Sequence, residues 1–160
     1  MKDKNISSKI IIVLFVLALL ILEVFLLFSY SPSENKKEKI QEKVIEIIDG
    51  DTFKTDSGNY VRLIGINAPE KTNSFYNESK KFLESLILNK TIELVADKDN
   101  RDNYGRLLRY AYLNSLLINS EIVKQGYAVP LFVSPNFEFK ELIEKAREEC
   151  LKEGIRLCKL

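Results

Sequence analysis

The stretch Arg62-Leu63-Ile64-Gly65-Ile66-Asn67-Ala68-Pro69-Glu70 decides how the rest of the chain is read. Its first half has the apolar, β-branched character of a strand. Alternation puts Arg62 on the face of Ile64 and Ile66, opposite Val61 and Leu63. An arginine among such neighbours either snorkels at an edge or is held for a purpose. Ala68-Pro69 forces an extended exit from the strand. Glu70 then stands on a stiff corner eight residues past Arg62. It reads equally as a solvated loop acid and as a base or ligand.

Two shorter strands precede this one. Lys43 to Ile48 is β-rich and ends at Asp49-Gly50, a tight-turn signal. Asp51 to Thr55 resumes the strand, and Asp56-Ser57-Gly58-Asn59 turns again before Tyr60 to Ile66. Downstream, Asn77 to Leu88 reads as a helix with Phe82, Leu83, Leu86 and Ile87 on one face. Thr91 to Val95 alternates as a fourth strand, and Gly105 to Leu113 reads as a fifth. Asn119 is the expected cap of a short helix that stops at Gly126. Asn136 is the expected cap of a last helix running to about Glu153, with Gly154 as its stop. The expected fold is α+β, mainly β. A five-stranded OB-type barrel carries three packed helices.

Composition narrows the chemistry. The 160 residues hold 24 Lys+Arg, 23 Asp+Glu and no His, for a formal net charge of +1. Without histidine there is no Ser-His or Cys-His nucleophile, no imidazole base and no imidazole metal ligand. Carboxylates, Arg/Lys, Tyr, Ser/Thr, backbone groups or an oxygen-ligated metal must do any catalysis. A balanced total does not decide for or against nucleic acid, since patches hide inside it.

Two further stretches can carry chemistry. Asp49-Gly50-Asp51-Thr52 is at its plainest a hairpin turn. Functionally it points the Asp51 carboxylate into a site, where a hard cation such as Ca²⁺ seeks carboxylate and carbonyl oxygens. Asp102-Asn103-Tyr104-Gly105 reads as a turn before the fifth strand, which Arg106 opens. The chain has only six Arg, and four of them (Arg62, Arg101, Arg106, Arg109) fall in or beside the barrel strands. Guanidinium grips phosphate bidentately, which an ammonium cannot.

Taken in order, Asp49–Thr52, Arg62–Glu70 and Asp102–Arg106 resemble the staphylococcal nuclease (thermonuclease) family over about residues 42–155. The resemblance implies a five-stranded OB barrel with three helices and Ca²⁺-dependent hydrolysis of phosphodiester bonds in DNA and RNA, leaving 3′-phosphate and 5′-hydroxyl ends. It implies that Asp51 is a calcium carboxylate, with Asn67 and the Ala68 carbonyl as further ligands. Arg62 and Arg106 are expected to clamp the scissile phosphate and Glu70 to orient or deprotonate the attacking water. Tyr104, Tyr127 and Phe132 are the candidates for contacting substrate; for Tyr127 and Phe132, core packing explains an aromatic at least as well as base stacking.

The chain departs from the family in places. Asn67 replaces the usual Asp, which removes a charge from the metal site. Asn103 replaces a basic residue, and the end of the chain lacks a common Trp. The alternative reading is a non-catalytic nucleic-acid or protein-binding module on the same barrel. No obligate protein partner is evident.

The first 30 residues stand apart from this domain. Ile10 to Leu22 is thirteen apolar residues without a break; Glu23 interrupts and Val24 to Phe28 continues. This is enough to span about 30 Å of hydrocarbon as a helix. Lys2, Lys4 and Lys9 precede it, as in a signal peptide or signal anchor. The length favours an uncleaved transmembrane anchor with its contact to the membrane over residues 10–28. The expected organisation is an anchor over 1–30, a linker over 31–41 and the nuclease-like domain over 42–160. The domain is expected outside the cell membrane, or secreted if the anchor is cleaved. Cys150 and Cys158 straddle Gly154. On one continuous helix they would lie about 12 Å apart, too far to bond. A chain reversal would join them, and two free thiols fit equally well.

Overall fold

A computed structural model describes residues 4–29 and 39–159, with side chains of the first segment from Ile10 to Phe25. The chain divides into two units, an N-terminal helix and a domain. The helix, α1, runs Lys4–Ser29. Its apolar side chains are exposed along the described length, Phe15 and Phe25 among them. Among the described residues no helix is long and apolar enough to cross a membrane. The expected 10–28 span extends beyond the described side chains, and most of the expected 31–41 linker lies outside the described residues.

In the domain, β1 (Lys39–Ile47), β2 (Thr52–Thr55) and β3 (Tyr60–Leu63) form the expected meander. β1 starts at Lys39, inside the stretch expected to be linker. After β4 (Ile66–Asn67) come α2 (Tyr76–Ile87), β5 (Thr91–Val95), β6 (Leu107–Leu113) and β7 (Leu116–Leu117). The chain then forms α3 (Ile118–Lys124), β8 (Val129–Pro130), α4 (Lys140–Glu153) and a single 3-10 turn over Arg156–Cys158.

Strand order in the large sheet is β3-β2-β1-β5-β6-β7, and a β3–β6 pairing closes β3, β2, β1, β5 and β6 into a five-stranded barrel. The closing pair is parallel, with Arg62 opposite Leu108. β1 serves two neighbours because a register shift between Val44 and Glu46 bends it: residues 39–43 pair with β5, and Val44 onward pairs with β2. Such a bulge increases local twist, which a small barrel needs in order to close. Val44, Phe53, Val61, Leu63, Ile92, Leu94, Leu107 and Ala111 bury their side chains, together with Leu83 and Ile87 of α2 and Ile122 and Ile143 of α3 and α4.

The third expected strand is broken. Gly65 has φ +79°, and a Cβ there would press on Ile143. The chain turns at Gly65, and Ile66-Asn67 pairs instead with β8. That break lets Ile64 and Ile66 be buried although they share a parity with Arg62.

Two expected caps do other work. Asn119 lies inside α3, wholly buried, where its carboxamide accepts from Ala111 N (2.9 Å) and donates to Ile64 O (2.8 Å). Asn136 precedes α4 by four residues and accepts from the backbone N–H of Lys98 and Asp99 at 3.1 and 2.9 Å. A short amide serves a cap and an interior polar junction equally well, and only burial separates the two. Gly154 ends α4 in the left-handed region as expected, with φ +60°. The chain reverses there, and Cys150 and Cys158 form a disulfide with Cα atoms 5.7 Å apart.

Candidate active site

The β1–β2 turn, the β4 exit and the loop before β6 meet at one side of the barrel. A cavity of about 260 Å³ there is lined by Asp49, Asp51, Arg62, Asn67, Ala68, Pro69, Glu70 and Arg106. Every residue assigned to catalysis or metal binding from sequence therefore lies around one hollow. Two guanidinium groups face three carboxylates in it.

Asp51 is the buried hub. The turn places it because Gly50 packs on α2, where any Cβ would run into the Ser79 hydroxyl. Asp51 N donates to Asp49 Oδ1 (3.0 Å), closing an Asx turn. Its own carboxylate accepts from Ala68 N (2.6 Å) and Thr52 Oγ1 (3.0 Å) and pairs with Arg62 Nη2 (3.0 Å). Burial pushes the Asp51 carboxyl up to about 6; Arg62 pulls it back, and neighbouring Asp49 adds to the rise.

Arg62 reaches this site from the middle of β3. Its remaining donors go to Leu63 O (2.7 Å) and Asn67 Oδ1 (3.2 Å). The one departure among the expected metal ligands is thus a partner of the arginine. Ala68 donates its backbone N–H to Asp51. Glu70, on the Pro-stiffened corner, is exposed at the cavity wall.

Arg106 lines the same cavity from the loop before β6. Its Nε donates to Asp102 Oδ2 (2.7 Å), and its Nη1 reaches toward Thr52 Oγ1 (3.4 Å). Thr52 therefore links the carboxylate and guanidinium halves of the site. Burial works to raise the Asp102 carboxyl, but hydrogen bonds from Arg106 and Tyr104 outweigh it and hold it below the usual range.

The substrate-contact candidates separate. Tyr104 is 86% exposed beside the cavity, with the Arg106 guanidinium 5.5 Å from its ring centre. Tyr127 is elsewhere: Phe82 stacks on its ring at 4.3 Å and Arg156 lies over it at 4.3 Å. Phe132 is partly buried against the core, under Lys140. Its neighbours Leu131 and Val133 instead line a groove of about 330 Å³ that shares Arg62 and Arg106 with the cavity. Alternation along an extended segment turns Phe132 in and its neighbours out.

Asp49, Thr52 and Asp102 join the site beyond the residues singled out from sequence. Asp49 and Thr52 stood within the quoted turn. Asp102 stood within the quoted turn before Arg106.

Among the described residues, no three His, Cys, Asp or Glu side chains come together as a ready metal cluster. The donors around the cavity are nonetheless all oxygen: two aspartates, a glutamate and an amide. That set, with a surplus of negative charge and a desolvated carboxylate, suits a hard dication better than a thiophilic one.

The profile of the family described as Staphylococcal nuclease homologue matches residues 60–157. The thermonuclease of Staphylococcus hyicus is 32% identical over 163 residues, covering 93% of this chain and 95% of its own. The thermonuclease of Staphylococcus intermedius is 31% identical over 158 residues, covering 89% and 94%. An uncharacterized endonuclease of Haemophilus influenzae is 34% identical over 125 residues, covering 76% of this chain and 67% of its own.

Proposed function

The chain belongs to the staphylococcal nuclease family and is a hydrolytic nuclease, and from that footing we propose that it cleaves phosphodiester bonds of DNA and RNA with calcium, its domain held outside the cell by an N-terminal anchor. The observation that carries the reading is the convergence of Asp51, Arg62, Asn67, Glu70 and Arg106 on one cavity.

Phosphoryl transfer needs positioning, counter-charge and an in-line nucleophile. In this reading Arg62 and Arg106 approach the scissile phosphate from two sides of the cavity. Each offers N–H donors to the oxygens on which charge develops. Glu70 takes a proton from the attacking water. The new P–O bond forms as the bond to the 5′-oxygen breaks, and that oxygen takes a proton from solvent. The products are a 3′-phosphate and a 5′-hydroxyl. Asp51 and Asn67 would hold the calcium, with Ala68 able to add its carbonyl oxygen. Bound there, a dication supplies positive charge against the phosphate. With one well-buried carboxylate and neutral oxygens, the site belongs at the weak end of calcium affinities. Tyr104 and the groove along Leu131 and Val133 accommodate the neighbouring nucleotides.

The test is release of acid-soluble nucleotide from single-stranded DNA by the full chain, with Ca²⁺ and with chelator. Chelator-sensitive release that disappears in Glu70→Ala supports the reading. Release indifferent to both would sink it.

The anchor is supported by the apolar run from Ile10 to Phe28 with its preceding lysines. The Cys150–Cys158 disulfide also suits an oxidising exterior. Protease added to intact cells should degrade the domain while the chain fractionates with membranes. A protected domain overturns the orientation.

A further inference from the structure

We propose that Asp102 is the positioning residue of the nuclease site: it fixes which edge of the Arg106 guanidinium faces the cavity. The inference rests on the nuclease reading above and adds to it a residue that does not line the 260 Å³ cavity itself.

The Asp102 carboxylate is fully engaged. Oδ2 accepts from Arg106 Nε (2.7 Å), and Oδ1 accepts from Arg106 N (3.0 Å) and Tyr104 N (2.9 Å). In return Asp102 N donates to Arg106 O (3.0 Å). A guanidinium carries five donors in one plane. With Nε committed to Asp102, only the Nη edge remains to meet a phosphate, and Nη1 already points toward Thr52 over the Asp51 side of the cavity. The Tyr104 ring against Arg106 further limits its rotation.

An aspartate can aim a partner only if it is itself held. The loop that carries Asp102 is pinned at its base by two buried polar side chains. Asn136, 3% exposed, binds the backbone of Lys98 and Asp99. Arg109, 1% exposed, donates to Asn100 Oδ1 (2.6 Å) and Asn100 O (3.2 Å). At the other end Arg101 Nη1 donates to Gly105 O (2.6 Å). Arg109 was one of the four strand arginines without a place at the cavity, and this is its place.

An ordinary surface pair four residues apart contributes little to stability. The Asp102–Arg106 pair is partly exposed, at 17% and 30% for the two side chains. If stability were its only role, replacing Asp102 would lower the denaturation midpoint and leave the rate of the folded enzyme unchanged. A misplaced phosphate clamp, by contrast, costs roughly tenfold to a hundredfold in rate.

The experiment compares Asp102→Asn with wild type, alone and in an Arg106→Ala background, in the full chain. Asparagine keeps an oxygen for the backbone N–H groups of Tyr104 and Arg106, so the turn persists. Expected are a fall in kcat of roughly tenfold to a hundredfold with KM little changed, a modest fall in urea midpoint that leaves the chain folded under assay conditions, and no further loss of activity when Arg106 is already absent. The nitrogen-15 NMR signal of the Arg106 Nε–H should be protected from exchange in wild type and exposed in Asp102→Asn. Equal losses of activity in both backgrounds, or an Arg106 signal indifferent to Asp102, overturn the proposal. A wild-type chain that cleaves no nucleic acid defeats the nuclease reading instead, and the NMR signal still reports whether Asp102 holds Arg106.

Discussion

Arg62 and Asp51 are joined across the β2–β3 hairpin. Nη2 of the one lies 3.0 Å from Oδ2 of the other, with the side chains 14% and 7% exposed. The bond ties the strand that carries the proposed phosphate-clamping arginine to the turn that carries the proposed metal carboxylate. It also makes the two residues energetically inseparable. Removing one member of a buried pair leaves an uncompensated charge and costs about 3 kcal/mol or more. Arg62→Ala should therefore destabilise the protein strongly at neutral pH. Arg62→Ala with Asp51→Asn should cost less than Arg62→Ala alone. Urea denaturation of the three variants reads this directly, and strictly additive losses would contradict it.

Asn67 faces Arg62 where a carboxylate would add a fourth to the three already around the cavity. Ligand charge is a main determinant of calcium affinity. Asn67→Asp should lower the Ca²⁺ concentration for half-maximal cleavage by about tenfold. An unchanged titration midpoint would show that residue 67 has no part in holding the metal.

Glu70 is proposed to take a proton in the rate-limiting chemistry. Glu70→Gln should lower kcat by roughly 10² to 10⁴ while leaving KM nearly unchanged. Steady-state kinetics on one oligonucleotide checks this. A loss confined to KM would assign Glu70 to substrate binding instead.

Tyr110 is fully buried and donates to Asp97 Oδ2 at 3.4 Å. Burial, with Asp97 adding to it, raises its phenol well above the ordinary value near 10. The folded chain therefore keeps a proton that the unfolded chain releases. Stability from this group is complete below about pH 10 and falls as pH rises past it. Tyr110→Phe should lose less stability than wild type between about pH 8 and 11. Denaturant midpoints at the two pH values provide the comparison, and parallel losses would refute it.

Cys150 and Cys158 close a loop with a sequence separation of eight. A loop of that size restricts the unfolded chain by about 2.5 kcal/mol. The bond also holds the turn in which Arg156 lies over Tyr127. Cys158→Ser, or wild type under reductant, should lose roughly that much stability, and reductant should leave Cys158→Ser unchanged. A reductant effect of equal size on both would place the cause elsewhere.

Much of this arrangement can be read along the chain. Alternation in Thr91–Val95 identifies a strand that the structure reproduces residue for residue. The apolar stripe of Asn77–Leu88 identifies a helix displaced by one residue. Turn chemistry at Asp49-Gly50 and the stiff Ala68-Pro69 exit place Asp51 and Glu70 correctly at strand ends. The positions that stay ambiguous along the chain share one cause. Asn119 and Asn136 are short amides whose value as caps or as interior junctions depends on what surrounds them. Tyr127 and Phe132 are aromatics whose direction depends on neighbours far away in sequence.

The sequence by itself determined the principal strands and helices, the residue types of the site and the absence of any imidazole route, because periodicity, turn propensity and side-chain chemistry are local. Tertiary structure alone decided that β3 closes against β6. It also decided that Gly65 breaks a strand to bring Asn67 and Glu70 around, and that Asp49, Thr52 and Asp102 stand with the arginines. Those outcomes depend on contacts between residues dozens of positions apart. Only the closing of the barrel, driven by burial of its core, brings such residues within hydrogen-bonding distance.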